Sequence, residues 1–199
     1  RSVVGGVARE ARSGAVCPLG CLVRVTPGTK FVTLGGALAA DVHGKNHHAV
    51  GSVAEFVESF EMLMADGTVW RCSRDEHADV FHGTLGGMGL TGVILRATIR
   101  LLRVPSAYIR VRHARQPGLT AAIDALERTE TDTTYAVAWS DCLARGESMG
   151  RSVLMLGEHA HAGELSGEAA GQPYVVGRKR VKTMPGIVPG WALNPLTVR

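Results

Sequence analysis

Residues Val93–Leu101 carry the cleanest alternation in the chain. Val93, Leu95, Ala97, Ile99 and Leu101 fall on one side of an extended segment, and Arg96, Thr98 and Arg100 on the other. That period of two predicts a half-buried β-strand. Upstream, Glu58–Ala65 and Thr68–Ser73 flank Asp66-Gly67, a dipeptide that favours a type I′ turn, and together they predict a hairpin. Asp75-Glu76-His77-Ala78-Asp79 then places acids in the first turn of a short helix, where the helix dipole favours them, and that helix ends near Gly86-Gly87. Phe31–Asp41 reads as a short strand turning through Gly35-Gly36 into one helical turn. Residues 1–22 show no clean period and form an undetermined lead-in.

Pro105-Ser106 marks the expected domain boundary, dividing a first domain at 23–105 from a second at 106–199. Beyond it the pattern predicts a strand at Tyr108–His113, then an amphipathic helix at Leu119–Glu127 with Leu119, Ala122, Ile123 and Leu126 on one stripe. Strands at Tyr135–Ser140 and Ser152–Leu156 follow. After Gly157 the chain is rich in glycine, proline and charge and predicts loop. The fold class is α+β, ending in an antiparallel sheet with helical cover.

Composition narrows the picture. A chain of 199 residues with 45% hydrophobic content can build one large core or two small ones, and 25 glycines with 5% aromatics favour a loop-rich α+β protein over a helical bundle. The net charge is +4, and the cations are dispersed apart from Arg178-Lys179-Arg180 with Lys182. A nucleic-acid partner would call for a concentrated basic stripe interleaved with aromatics, so none is expected. A mildly basic surface is the plain reading, and contact with an anionic phospho-sugar or lipid surface is the sharper one. Cys17, Cys21, Cys72 and Cys142 lack zinc-finger spacing and are expected to be reduced thiols, mostly buried. No apolar run approaches the roughly 20 residues needed to cross a bilayer. The short apolar stretch Ala15–Val23 reads as a buried segment rather than a leader. The compartment stays open between cytoplasmic and peripheral to a membrane.

The chemistry concentrates in Val25–His48. Pro27-Gly28, Gly35-Gly36 and Gly44 let backbone amides approach a ligand, and His43 and Lys45 add side-chain donors beside them. The cluster His43-Gly44-Lys45-Asn46-His47-His48 admits three readings. One is a metal site with Asp41, which the spacing does not enforce; we expect none. Another is a structural turn with satisfied polar groups. The third, preferred here, is the wall of a site for an anionic planar ligand. Gly86–Gly92 is glycine-rich without being a dinucleotide fingerprint, because it ends a helix and enters a strand rather than the reverse.

Pro27–Thr29, Val32–Gly36 and Ala39–His48, followed in order by Gly86–Ile94 and Leu95–Ile99, resemble the flavin-binding region of the vanillyl-alcohol-oxidase-like, or PCMH-type, FAD oxidoreductases. The resemblance is strong over Val25–Val104, thinner to Arg199, and almost absent before Cys21. It implies part of a PCMH-type FAD-binding domain followed by the start of a substrate domain. By this likeness the chain is an internal fragment, lacking an upstream pyrophosphate loop and a downstream return to the flavin domain. Carried over residue by residue, the cofactor contacts are Gly28, Thr33, Leu34, Gly35, Gly36, Ala40, Asp41, Val42, His43 and Ile94, the last at the adenine part. Ala40 replaces a cysteine of the similar members, and a backbone contact survives that change.

The resemblance implies non-covalent FAD and oxidation of a sugar CH–OH group, with a polyprenyl-phosphoryl pentose as the expected substrate and an aldonolactone as the alternative. His43 and Lys45 are supporting catalytic candidates, the base being expected outside this chain. Trp139 and Arg145 face substrate or, equally, pack and are solvated. A partner reductase and a peripheral membrane contact are further implied. A non-catalytic remnant or interaction module is the alternative from another class.

Overall fold

The computed structural model describes residues 2–5, 19–29, 31–129 and 133–175. Among them, strands form one five-stranded and one three-stranded sheet, paired antiparallel throughout. Strands β1 (Ser2–Gly5) and β2 (Cys21–Val23) both pair with β5 (Val93–Arg103), with Ser2 opposite Arg100 and Cys21 opposite Arg103. The lead-in therefore contributes two strands to the first sheet. Segments this short take their place from the edge they join, so they carry no period of their own.

Across β5 from β1 lies β3 (Val57–Leu63), which pairs with β4 (Val69–Ser73). Two bulges interrupt the β3–β5 ladder. Glu58 is the extra residue between Val57↔Ile99 and Ser59↔Thr98, and Leu95 between Glu61↔Arg96 and Met62↔Ile94. The second bulge changes which side chains reach the core. Ala97 and Ile99 are buried as the alternation predicts, but Val93 is 61% exposed and Ile94 packs on the core instead. Period-two patterns cannot see such a reset.

The β3–β4 hairpin forms, with a different turn. The Gly67 N–H donates to the Met64 carbonyl at 3.0 Å, and Gly67 alone of its loop has positive φ, +84°. This is a three-residue loop, a type I turn closed by a left-handed glycine, not the type I′ turn expected from Asp66-Gly67.

Helix α1 spans Leu34–Ala39, so Gly35 and Gly36 sit in its first turn rather than in a bend, and no strand precedes them. Thr33 caps it, its Oγ1 accepting from the Gly36 N–H at 3.1 Å. A single turn α2 (His47–Val50) and a 3₁₀ turn (Val53–Phe56) lead into β3. Helix α3 (Ala78–Thr84) starts later than Asp75, with only Asp79 of the acids in its first turn. Both α1 and α3 contribute to the first core: Phe60 stacks on Phe81 at 5.3 Å, beside fully buried Leu38, Met62 and Cys72.

In the second sheet β8 (Ser152–His159) lies between β6 (Ile109–Gln116) and β7 (Tyr135–Ser140). Helix α4 (Leu119–Thr129) packs against all three strands. Ala122 of its stripe is buried, whereas Leu119 and Ile123 remain about half exposed. Of the loop expected after Gly157, residues 176–199 lie outside the described residues. The described part is strand to His159 and then mostly irregular but packed chain, with Ala160 buried, a short helix α5 (Glu168–Gly171), and the Tyr174 hydroxyl donating to the Val104 carbonyl. Gly157 serves packing here, since a Cβ on it would lie 2.8 Å from Ile109 Cγ2.

The Pro105-Ser106 junction lies between the two sheets and is itself packed. Ser106 is fully buried and its hydroxyl donates to the Ala160 carbonyl at 2.6 Å. Trp139 is 75% exposed, which removes the core-packing reading for it, and Arg145 is exposed. Of the described cysteines Cys72 is buried, Cys21 half-buried and Cys142 exposed, so burial is less general than expected. Cys17, residues 15–18 of the Ala15–Val23 run and the Arg178–Lys182 cluster lie outside the described residues. In the rest of that run Leu19 is exposed and residues 20–23 are only half-buried, so the buried segment expected there is not seen.

Candidate functional site

Asp41 closes α1. Its backbone takes a left-handed conformation, φ +42°, which aspartate tolerates better than most residues. Its N–H donates to the Leu38 carbonyl and the Val42 N–H to that of Ala37, folding the chain back on the helix end. The Asp41 carboxylate then accepts from Ser52 Oγ at 2.8 Å and from the Ala54 N–H at 2.9 Å. This fixes the turn on which His43 stands, bridged to Ser52 with its side chain exposed.

The next residues run against Thr26. A Cβ on Gly44 would lie 2.6 Å from Asn46 Oδ1 and 2.9 Å from the Thr26 carbonyl. Asn46 is buried and donates through Nδ2 to the Arg24 carbonyl at 2.8 Å. Lys45 is exposed, and its carbonyl accepts from Ala136 of the second sheet; His48 Nε2 lies 2.8 Å from the Thr133 carbonyl.

The second glycine block docks on the same helix end. The Gly86 N–H donates to the Leu38 carbonyl and the Met88 N–H to that of Ala39. A Cβ on Gly87 would sit 2.1 Å from the Gly83 carbonyl oxygen, and one on Gly92 2.7 Å from that of Leu63. Both positions are closed to any other residue without backbone movement.

Of the residues singled out from sequence, Thr33–Gly36 stand at the start of α1 and Ala40–His43 at its other end, roughly 9 Å away at the helical rise. Gly28 is exposed on the approach to α1, and Ile94 packs on the core that Leu34 and Val42 also touch. The first-turn amides of Leu34 and Gly35 have no partner within the helix. The Gly36 amide is occupied by Thr33, which removes one expected ligand donor. No atom lies within 4 Å of where a Cβ on Gly28 or Gly35 would be. The helix-end amides of Leu34 and Gly35 and the open surface at Gly28 and Gly35 fit the anionic groups of a dinucleotide such as FAD. The His43 and His47 rings lie 5.2 Å apart, but among the described residues no group of three or more His, Cys, Asp or Glu is placed to hold a metal.

A cleft of about 400 Å³ opens between the two sheets, with Pro27, Lys45 and Asn46 on one wall and Val111, Tyr135 and His159 on the other. The Tyr135 hydroxyl and His159 Nε2 are 3.0 Å apart. Burial pulls His159 below the ordinary imidazole value, and burial together with the Glu158 charge raises Tyr135. Because the His159 value is lowered on folding, the unfolded chain takes up that proton first as pH falls below about 6.5. Stability is thus expected to be level in this respect above 6.5 and to drain below it. The urea midpoint should fall between about pH 7 and about pH 5, and His159→Gln should flatten part of that fall. Identical slopes for both proteins would refute the assignment.

Sequence reading missed Ser52, Tyr135 and His159, and named Asn46 only as a member of the His43–His48 cluster. Each acts through a partner distant in the chain, and only Gly44, forced bare by Asn46, left a trace in the sequence.

Comparison with known proteins gives this geometry its context. A family model described as FAD binding domain matches residues 5–73. It starts well before Cys21, where the residues alone show almost no likeness. Decaprenylphosphoryl-beta-D-ribose oxidase of Mycolicibacterium smegmatis is 34% identical over 201 residues, 98% of this chain and 43% of that protein. An uncharacterized protein in the mprA 5′ region of Streptomyces coelicolor is 40% identical over 175 residues, 88% of this chain and 47% of that protein. Cytokinin dehydrogenase 5 of Arabidopsis thaliana is 37% identical over 87 residues, 42% of this chain and 16% of that protein. The chain thus spans less than half the length of the first two of these relatives. It belongs to the PCMH-type FAD-binding oxidoreductases.

Proposed function

We propose that this chain is part of a longer flavoenzyme that holds FAD non-covalently and oxidises a secondary alcohol of a sugar, the 2′-hydroxyl of a polyprenyl-phosphoryl pentose. The observation that carries this is the extent of likeness. Similarity to the ribose oxidase runs over 98% of the chain, so it takes in the second sheet, whereas similarity to the cytokinin dehydrogenase covers 42%. A likeness confined to flavin binding would not need the second sheet. In this reading residues 23–105 hold cofactor and residues from 106 onward face substrate.

Gly28, Thr33, Leu34, Gly35, Ala40, Asp41, Val42, His43 and Ile94 would hold the FAD, mainly through the main chain. Gly36 supports the site through the cap, since its amide is taken by Thr33 Oγ1 and a Cβ on it would lie 2.9 Å from that oxygen. When bound, the flavin supplies the acceptor for the hydrogen that leaves carbon as hydride. The chain's own part is placement and charge. Asp41 locks the turn that presents His43, and exposed Lys45 lines the cleft, where a positive charge favours an anionic substrate group. The base that takes the hydroxyl proton belongs to the longer protein. Trp139 and Arg145 are kept as substrate-facing candidates. A reductase partner and a peripheral membrane contact accompany this reading, since the substrate is lipid-linked; no helix of the described residues is long and apolar enough to cross a membrane.

The isolated chain is expected to hold FAD weakly or not at all. Mixed anaerobically with the full-length protein, a polyprenyl-phosphoryl pentose should bleach the flavin absorbance. Bleaching by an aldonolactone and not by the pentose would transfer the protein to the lactone oxidases. A protein that takes up no flavin would be an interaction module.

A further inference from the structure

We propose that the cleft between the two sheets seats the apolar tail of the substrate, with Lys45 at its charged end. This deepens the function proposed above and rests on it. The floor is one face of the second sheet. Val111, Gly157 and Tyr135 stand in one cross-strand row and His113, Met155 and Val137 in the next, so alternate residues put Val111, Val137 and Met155 on the side away from buried Leu154 and Leu156. Leu22, Pro27 and Val104 form the opposite wall. Val111 keeps 43% of its surface open and Ile109 40%, an apolar face without a partner among the described residues.

The Tyr135 hydroxyl and His159 Nε2 bond each other across 3.0 Å. Asn46 Oδ1 and His159 Nδ1 are buried without a partner among the described residues, and most of the remaining lining is apolar. Gly157 lowers the floor, because a Cβ there would crowd Ile109 and Tyr135. Lys45 lines the same cleft and carries a positive charge on the loop that also bears His43. The complementary molecule is apolar along its length and anionic at one end, as a prenyl phosphodiester is. A volume of about 400 Å³ lies within the small-molecule range but accommodates only the first few isoprene units of a polyprenyl chain.

The test uses the full-length protein and a series of phosphoryl pentoses carrying no prenyl group, a short prenyl chain or a long one, read by anaerobic flavin bleaching. The KM should fall at least about tenfold from the unprenylated to the short-chain compound, as apolar burial requires, and then level off. Val111→Glu, on an exposed edge strand, should raise KM for both prenylated compounds at least about tenfold, while Val111→Leu keeps the wild-type dependence. Should Val111→Glu fail to fold, Ile109→Glu and the substrate series decide the matter. A KM independent of chain length, with bleaching intact, overturns the tail site and leaves the function standing. So does chain-length dependence that persists in a folded but destabilised Val111→Glu protein, which would mean that the rest of the longer chain fills the cleft. Failure of every pentose to bleach the flavin overturns the functional reading itself.

Discussion

Gly87→Ala is expected to destabilise the protein by about 3 kcal/mol or more and to abolish most of its FAD binding. The added methyl group would lie 2.1 Å from the Gly83 carbonyl oxygen, a backbone atom that no rotamer change can move aside. Relief requires the Gly86–Met88 segment to lift. That segment carries the two amides that cap the Leu38 and Ala39 carbonyls, so lifting it uncovers the end of α1 and disturbs the Asp41 turn. Gly83→Ala provides the control with opposite sign. Gly83 lies in α3, no atom lies within 4 Å of its Cβ position, and alanine in a helix gains roughly 0.5–1 kcal/mol over glycine. Urea unfolding and FAD titration of the two variants should diverge in both stability and affinity. Equal behaviour would mean that the docking of the second glycine block is dispensable.

Asp41→Ala should cost about 3 kcal/mol and weaken FAD binding at least about tenfold. Two contributions add. The carboxylate loses its bonds from Ser52 Oγ and the Ala54 N–H, and bonds to charged groups are worth about 1.5–3 kcal/mol. Alanine also meets the left-handed backbone at φ +42° at a cost of about 1–2 kcal/mol. Asp41→Asn keeps the tolerance for that conformation and one acceptor oxygen, so it should lose about 1 kcal/mol and retain flavin. An Asn variant as damaged as the Ala variant would show that the charge itself, not the turn, is what the site needs.

These two residues also show how much of the site was legible in the sequence. The glycine-rich blocks stood out because close approach leaves no other choice of residue, and Gly87 and Gly92 are bare for that reason. The role of Gly35-Gly36 was misplaced. Glycine has low helix propensity, so a pair of them suggests a bend, yet Thr33 caps a helix that begins through them. The long strand β5 was legible from its alternation, but the bulge at Leu95 was not. Register shifts depend on the partner strand, and a single segment carries no record of its partner. The same reasoning covers β1 and β2, which exist because β5 offers an edge. Beyond Gly157, glycine and charge pointed to loop, whereas the tight approach of Ile109 to Gly157 shows that this glycine serves packing within a strand. The Tyr135–His159 pair and the Asn46–Arg24 bond join residues whose proximity is set by tertiary packing, and nothing local announces them.

The direct measurement is the flavin content of the full-length protein as purified, followed by filtration after unfolding in urea. If the two ends of α1 hold the cofactor through the main chain, the protein carries close to one FAD per chain, and all of it passes the filter once the fold is lost. A colourless protein that acquires no flavin on incubation with FAD, or a flavin that stays with the unfolded polypeptide, would contradict the account.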